Sequence, residues 1–412
     1  MSFPRYPKYK ASGVEWLGEV PEHWNVVPIK WLSPVKRGAS PRPIDDPKYF
    51  DEEGEHAWVR IADVSSCDGD LKETTQRLSR LGSSLSVKIS PGELFVSIAG
   101  TVGKPCISAI KACIHDGFVY FPTLKIEPRF LYRIFEGGGC YGGLGKWGTQ
   151  LNLNTDTVGS IRVALPPADE LKQLLEFLHQ ETRKIDELVA EQRRLMELLK
   201  EKISALVLSS VDLANTKRLR FVDAASIISR PVLQEHEASY TRIGLFNRGR
   251  GLFHKDASEM DEMGESDFFW IEEGDLIISG QFAWEGAVAM AGKDETGCVV
   301  SHRYPVIRGI PDVALTEYLF GLLCTNHGDF LLNENSRGAA GRNRPLNIRS
   351  LLKETIPVPP MQIQETVARA IHSRSVLFQE ISNAIAFLQE RRTALISAAV
   401  TGQIDVRQPP QK

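Results

Sequence analysis

The 412-residue sequence predicts an α+β protein in which two similar globular units alternate with two long antiparallel coiled-coil helices, a pseudo-twofold internal repeat. Three observations predict it. VALPP (Val163 to Pro167) returns as IPVPP (Ile356 to Pro360), and Leu153-Asn154 returns as Leu346-Asn347 at the same offset. Earlier in each half, WVRIADV (Trp58 to Val64) is matched by YTRIGLF (Tyr240 to Phe246), and ISPGELFVS (Ile89 to Ser97) by IEEGDLIIS (Ile271 to Ser279), again at one shared offset. Each double proline opens a long stretch with an apolar residue every three or four positions. A chain that repeats one unit is pseudo-symmetric, and pseudo-symmetric binders meet targets that have two parts.

In chain order, residues 1–165 form an N-terminal segment and a first globular unit, whose strings FVSIAG and FVYFP read as short strands between turns. Residues 166–212 form the central helix. Its seam is predicted at Leu171, Leu174, Leu178, Glu181, Ile185, Leu188, Gln192, Leu195, Leu199, Lys202 and Leu206, alternating threes and fours as in a coiled coil. Residues 213–358 form the second unit, with strands in DLIISG and CVVSHRYPVI and a helix over Leu315 to Leu323. Residues 359–405 form the second long helix, its seam at Ile363, Val367, Ala370, Arg374, Leu377, Ile381, Ala384, Leu388, Arg391, Leu395 and Ala398, before a tail at 406–412. The prolines mark the helix starts, because the residue before a proline is pushed from helical angles while proline itself is tolerated in the first turn. Helices of about 60 Å with a narrow apolar stripe need a partner, and the two partner each other most simply as a spacer.

Composition is that of an ordinary globular chain, 42% apolar and 25% charged, with room for two or more cores. The start MSFPRYPKYK carries no hydrophobic signal segment and no apolar run reaches transmembrane length, so a cytoplasmic protein away from membranes is expected. Six cysteines without a C-x-x-C pair suit reduced thiols. Cys106, Cys113 and His115 lack a fourth ligand and ribbon spacing, so no metal is expected.

Catalytic and cofactor signatures are missing. GTVGKP (Gly100 to Pro105) is too short for a phosphate loop and reads as a strand-end turn. There is no N-P-P-[YF] or D-P-P-Y string for amino-methyl transfer, no H-E-x-x-H and no G-x-S-x-G. No catalytic residue and no cofactor are expected.

Two glycine-rich segments occupy the same place in both halves, directly before Leu-Asn: GGGCYGGLGKWGTQLNLN (Gly137 to Asn154) and SRGAAGRNRPLNIR (Ser336 to Arg349). Glycine allows close backbone approach to nucleic acid. Lys146, Trp147, Gln150 and Asn152 in the first, and Arg337, Arg342, Asn343, Arg344 and Arg349 in the second, offer phosphate charge and base-edge hydrogen bonds. The plain alternative is a pair of tight turns with solvated charges; the duplicated position favours DNA-facing loops. Lys36, Arg37 and Arg42 in the first half and Arg248 and Arg250 in the second are further candidates, while Trp284 and Phe282 are as readily core as contact. The net charge of −3 and pI near 6.3 argue for weak DNA binding by the chain alone.

The opening YKASGVEWLGEVPEHW (Tyr9 to Trp24), the G-[ED]-L strand starts, the PPADEL and PPMQIQ helix starts and the ends LLKEKISALVLSSV and LQERRTALISAAVTG together resemble the specificity subunit of type I restriction-modification systems over essentially the full length. The family's Glu-Gln after the double proline is half kept in each copy, as Glu170-Leu171 and Ile363-Gln364. The resemblance implies two target-recognition domains, each reading half of a bipartite site in double-stranded DNA. It implies helices that set the spacing and dock two methyltransferase subunits, with ATP-dependent restriction subunits joining for cleavage. Methylation and cleavage would then belong to those partners, the chain itself being non-catalytic. Two alternatives remain: the recognition part of a single-chain methyltransferase-nuclease system, and a coiled-coil scaffold without DNA contact.

Overall fold

The computed structural model describes residues 3–144, 153–211, 213–233, 239–259, 266–338 and 344–408. The chain divides into two compact units, Met1–Ala190 with Ile385–Lys412, and Glu191–Ala384.

The internal repeat is a repeat of strand pairings. In the first unit the strand Leu94–Ser97 lies between Phe118–Tyr120 and Pro105–Ser108, antiparallel to both, with Lys36–Arg37 beyond the former. In the second, Leu276–Ile278 lies between Val306–Gly309 and Val288–Met290, with Ala225–Ile228 beyond the former. The first unit adds Asp70–Leu71 in parallel to Pro105–Ser108, which makes its sheet mixed. A second small sheet sets Ala112–Ile114 parallel to His56–Val59; its counterpart strand Val299–Ser301 makes a parallel bridge to Arg242. Each unit is closed at its base by a two-stranded stem, Asn25–Pro28 with Arg162–Leu165 and Lys217–Arg220 with Thr355–Val358.

Alternation along the central strand feeds two cores. Leu94 and Val96 join the large core with Trp24, Phe130 and Phe135, whereas Phe95 joins Cys106 and Phe118 on the other face. Successive side chains of a strand point to opposite faces, so a strand covered on both sides reads as a continuous apolar run. The G-[ED]-L string that precedes it has a local cause. Gly92 and Gly274 hold left-handed angles, φ 91° and 85°, which glycine adopts without a Cβ clash. The following Glu93 and Asp275 accept the backbone N–H of Ser90 and Glu272, at 2.7 and 2.9 Å. Asp275 is fully buried and also accepts from Arg230 and Arg308, at 2.7 and 2.6 Å. Leu-Asn likewise marks a helix start: Asn154 accepts the N–H groups of Asp156 and Thr157 to cap Thr155–Ser160, and Asn347 accepts that of Ser350 to cap Ile348–Leu351.

One matched pair of strings diverges. In the first half the chain enters the helix Ile61–Ser66, where Asp63 accepts the Arg60 N–H; in the second, RIGLF forms the strand Ile243–Leu245 against Leu252–His254. Gly244 permits this, since a Cβ there would fall 2.2 Å from the Phe253 ring.

The long helices span Ala168–Val211 and Met361–Val400. Within the first unit Asp186 meets Arg392 while Glu170 comes within 4.0 Å of Arg407. Within the second, Lys200 lies over Phe378, and Gly321 touches Val207, Val367 and Ile371. In both units the helices therefore run in opposite directions. The seams need correction. Leu188 and Leu195 are exposed at 45% and 43%, and Lys202 is exposed too, while Val189, Met196, Ile203 and Val207 turn inward. In the second helix Leu377, Ala384 and Arg391 give way to Phe378, Ile385 and Arg392. In each helix one heptad line therefore lies one residue later than expected, while the other, through Gln192, Leu199 and Leu206 in the first helix and Ile381, Leu388 and Leu395 in the second, stays inward as predicted.

Segments near the chain's two ends meet in the first unit. Gly402 packs on Pro21 and Trp24, Tyr9 donates to the Gly402 carbonyl at 3.0 Å, and the Asp405 N–H donates to the Pro4 carbonyl at 2.7 Å. They close on Glu170, in the first turn of the central helix and 6% exposed. Tyr6 Oη, Trp24 Nε1 and His23 Nε2 surround its carboxylate at 2.5, 2.9 and 2.8 Å. The corresponding turn of the second helix places buried Gln364 to accept the Leu315 N–H and donate to the Val313 and Pro359 carbonyls. Among the described residues no helix is long and apolar enough to cross a membrane.

Candidate nucleic-acid interface

In each unit the stem of the glycine-rich segment is tied to the turn of the central hairpin. In the first unit that turn follows Leu94–Ser97 and precedes Pro105–Ser108, so GTVGKP is a strand-end turn. Tyr141, three residues past Gly138, donates its hydroxyl to the Gly103 carbonyl at 2.8 Å, and its ring stacks on Phe135 at 5.9 Å. Gly103 has φ 85°, and a Cβ there would meet the Tyr141 ring at 2.9 Å. In the second unit the Leu346 N–H donates to the Gly280 carbonyl at 2.8 Å, and the Arg344 guanidinium lies 5.1 Å above the Trp284 ring. Arg344 Nε also donates to the Ser336 carbonyl, closing the base of the segment at 3.1 Å. Lys146, Trp147, Gln150, Asn152, Arg342 and Asn343 lie outside the described residues.

Around the second hairpin turn two more loops converge. Gln281 to Gly286 contains the 3-10 turn Ala283–Glu285. Against it folds NRGRG: the Arg248 and Gly249 N–H groups donate to the Glu285 and Gly286 carbonyls, both at 2.9 Å, and Asn247 donates to the Glu285 carboxylate. Arg248 itself holds φ 60°, a left-handed conformation in a side-chain-bearing residue, which costs energy and persists only when neighbours impose it. Arg250 donates to the Asn247 carbonyl at 3.0 Å and stacks on Phe246 at 5.4 Å. Burial raises the carboxyl of Asp329 on the helix Asn326–Glu334, an effect the charge of Arg248 partly opposes. The Gly280 N–H donates to the Arg303 carbonyl at 2.7 Å, which sets the exposed Arg303 beside the turn. Thus Arg248, Arg250 and Arg344 are brought together with Trp284, Asn247 and Arg303. Arg337 pairs instead with Glu334 on the surface at 2.6 Å, and Arg349 is exposed on the helix Ile348–Leu351.

In the first unit Lys36 and Arg37 lie on an edge strand. Arg37 donates to the Asp116 carbonyl, and Arg42 to the Asp116 carboxylate at 3.1 Å. Ser40 adds a bond to the same carboxylate at 3.1 Å. The Gly117 N–H reaches the His115 ring nitrogen at 2.8 Å, while the Ile98 N–H donates to the Gly117 carbonyl at 2.8 Å, so this cluster borders the hairpin turn. Burial lowers the His115 imidazole below its ordinary value, against the pull of Asp116, so the ring is neutral at pH 7 and adds no charge. Lys104, by contrast, is spent on structure: its ammonium donates to the Ser65 and Cys67 carbonyls at 2.9 and 3.1 Å.

Asn247 and Arg303 escaped sequence reasoning because each sits in a loop whose place is set by pairings more than twenty residues away. The left-handed Arg-Gly step of NRGRG was the available signal for the first. Among the described residues no group of three or more His, Cys, Asp or Glu side chains could hold a metal ion.

No protein-family model matches the sequence. Its structure is similar to a chain from a solved structure described as "Structural basis underlying complex assembly and conformational transition of the type I R-M system", at 14% identity, covering 92% of this chain and 98% of that one, with a TM-score of 0.58. It also matches the HsdS subunit from Thermoanaerobacter tengcongensis at 14% identity over 93% and 98% of the two chains, with a TM-score of 0.43. A third match is the type I restriction-modification S subunit from M. genitalium, at 11% identity over 92% and 96%, TM-score 0.44. The first of these establishes that the chain has the fold of a chain of a type I restriction-modification system.

Proposed function

We propose that the protein is the DNA-specificity subunit of a type I restriction-modification complex, each unit reading one half of a bipartite site. The observation that carries this is the duplicated attachment of a glycine-rich segment to a hairpin turn, with cationic side chains gathered around both turns. Two similar surfaces in one chain suit two half-sites. The chain has no catalytic constellation of its own in this reading; methyl transfer and ATP-dependent cleavage belong to partner subunits, and two methyltransferase subunits supply the rest of the DNA contact that a net charge of −3 does not. Methylated adenines mapped in cells with and without the gene test it directly: a bipartite motif should disappear with the gene, and an unchanged methylation pattern would sink the proposal.

Arg344 is assigned to the half-site of the second unit. Replacing Arg342 and Arg344 by alanine should relax one base position by about 1–3 kcal/mol if a guanidinium reads a base. If the guanidinium groups hold phosphates instead, the double variant should bind all sequences evenly more weakly, with a salt slope lower by about one per phosphate released. Gel shifts with the methyltransferase present, run over a salt series, separate the two. Unchanged affinity and specificity would remove these residues from the interface.

The helices are assigned the spacing between half-sites. The division between units falls at Ala190 and Glu191 in one helix and Ala384 and Ile385 in the other. A heptad inserted at both points lengthens each helix by about 10 Å, roughly three base pairs of B-DNA. The expected methylome keeps both half-sites and gains a longer gap, or methylation is lost with helicity retained. Full activity on the original spacing would show that the helices do not measure the distance.

A further inference from the structure

The sulfur atoms of Cys67 and Cys106 lie 3.4 Å apart although the residues are 39 positions apart in sequence. Cys67 ends the helix Ile61–Ser66, its N–H donating to the Asp63 carbonyl at 3.1 Å, and is partly exposed. Cys106 is fully buried in the strand Pro105–Ser108. Backbone pairing holds them face to face. The next residue, Ile107, donates to the Gly69 carbonyl at 2.9 Å and Ala109 to that of Leu71 at 2.9 Å, the parallel register that joins Asp70–Leu71 to this strand. Lys104 clamps the Cys67 carbonyl from the same side.

Their environment differs in the way a reactive pair requires. A hydrogen bond from Cys106 holds the Cys67 thiol below its ordinary range, against burial, with the Lys104 ammonium assisting. Cys67 opens onto a surface depression lined by Asp63, Asp68, Asp70, Lys72 and Glu73. That mostly acidic rim disfavours anionic oxidants such as glutathione disulfide and admits a small neutral one. The thiolate is the reacting form of cysteine, and an accessible one beside a second thiol is the arrangement of a reversible redox site.

We propose that Cys67 and Cys106 form a modification site at which hydrogen peroxide generates a disulfide. The Cys67 thiolate attacks one peroxide oxygen; an S–O bond forms, the O–O bond breaks, and the departing hydroxide takes a proton to become water. Cys106 then attacks the Cys67 sulfur; the S–S bond forms, the S–O bond breaks, and the departing hydroxide takes the Cys106 proton and leaves as a second water. Two thiols lose two electrons and peroxide becomes two waters.

The bond would draw the sulfurs from 3.4 Å to about 2.05 Å and pull the helix Ile61–Ser66 toward the hairpin. That helix touches the hairpin turn through Ser65 Oγ and Thr101 Oγ1, 2.7 Å apart. Oxidation therefore acts on the turn assigned above to the first half-site, and this second step rests on the proposed function.

The test uses the full chain, treated with hydrogen peroxide, blocked with N-ethylmaleimide, digested and analysed by mass spectrometry. The expected product is a linked Cys67–Cys106 peptide, reversed by dithiothreitol and absent from Cys67→Ser and from Cys106→Ala. Cys67 oxidised to the sulfinic acid, or both thiols still free, would overturn the site. This readout involves no DNA, so it stands or falls apart from the proposed function. With the methyltransferase present, oxidised wild type should bind DNA about tenfold more weakly than equally treated Cys67→Ser. Equal binding with the disulfide formed would overturn its regulatory effect, whereas absence of DNA binding by the reduced protein would count against the proposed function alone.

Discussion

Exchanging residues 29–161 for the corresponding segment of a relative is expected to change one half of the methylated DNA sequence completely and leave the other half as it was. The structure makes this segment exchangeable. Its ends lie side by side: the Ile29 N–H donates to the Ile161 carbonyl at 2.9 Å, directly beside the stem in which Asn25–Pro28 pairs with Arg162–Leu165. A body entered and left through adjacent strands can be replaced without moving what lies outside it. The exchange keeps both stem strands, the N-terminal segment and the helix start, so the docking of Tyr6 and Trp24 on Glu170 is retained. Sequencing of methylated sites in cells carrying the hybrid gives the answer. A change in both halves, or in neither, would contradict the assignment of one half-site to each unit.

Glu170→Ala is expected to destabilise the first unit by about 3–5 kcal/mol, the usual cost of removing one partner from a buried charged network. The carboxylate accepts from Tyr6, Trp24 and His23, and its removal leaves the Tyr6 hydroxyl and Trp24 indole N–H without their acceptor. It also separates the N-terminal segment and the C-terminal tail from the helix they share. For a unit of this size the unfolding temperature should fall on the order of 10 °C, measured by calorimetry against Glu170→Gln, which retains one acceptor oxygen and should lose less. A fall in both variants within error of zero would show that the network is not structural.

The same group predicts a pH dependence. Burial pushes the Glu170 carboxyl up, but the hydrogen bonds from Tyr6, His23 and Trp24 outweigh it and hold the folded value below the ordinary 4.5. A carboxyl depressed in the folded state contributes stability that is present above its unfolded value and lost as pH falls through the folded one. The wild type should therefore lose stability below about pH 4.5 more steeply than Glu170→Gln, and the two acid-unfolding curves should converge at low pH.

The sequence by itself determined the repeat, the strand strings, the helix starts and the type of protein to expect, because these depend on local rules. Gly-[ED]-Leu recurs because a left-handed glycine followed by an acidic cap starts a strand. Leu-Asn recurs because asparagine caps a short helix, and double proline recurs because it stops one conformation and admits another. Cationic side chains in glycine-rich loops were visible for the same reason, as residue types in a pattern. Only the tertiary structure decided which of them meet. Arg344 reaches Trp284 and Arg248 reaches Glu285 through pairings of strands far apart in the chain, while Arg337 turns to Glu334 and Lys104 to the end of a helix. One of the two seam lines in each helix lies a residue later than its spacing suggested because packing against the partner decides which neighbouring side chain turns inward, and the matched strings RIADV and RIGLF took different forms because Gly244 makes room for Phe253. The closeness of Cys67 to Cys106 and of Tyr6 to Glu170 belongs to the same class: long-range contacts are set by packing and strand register, which no local spacing encodes.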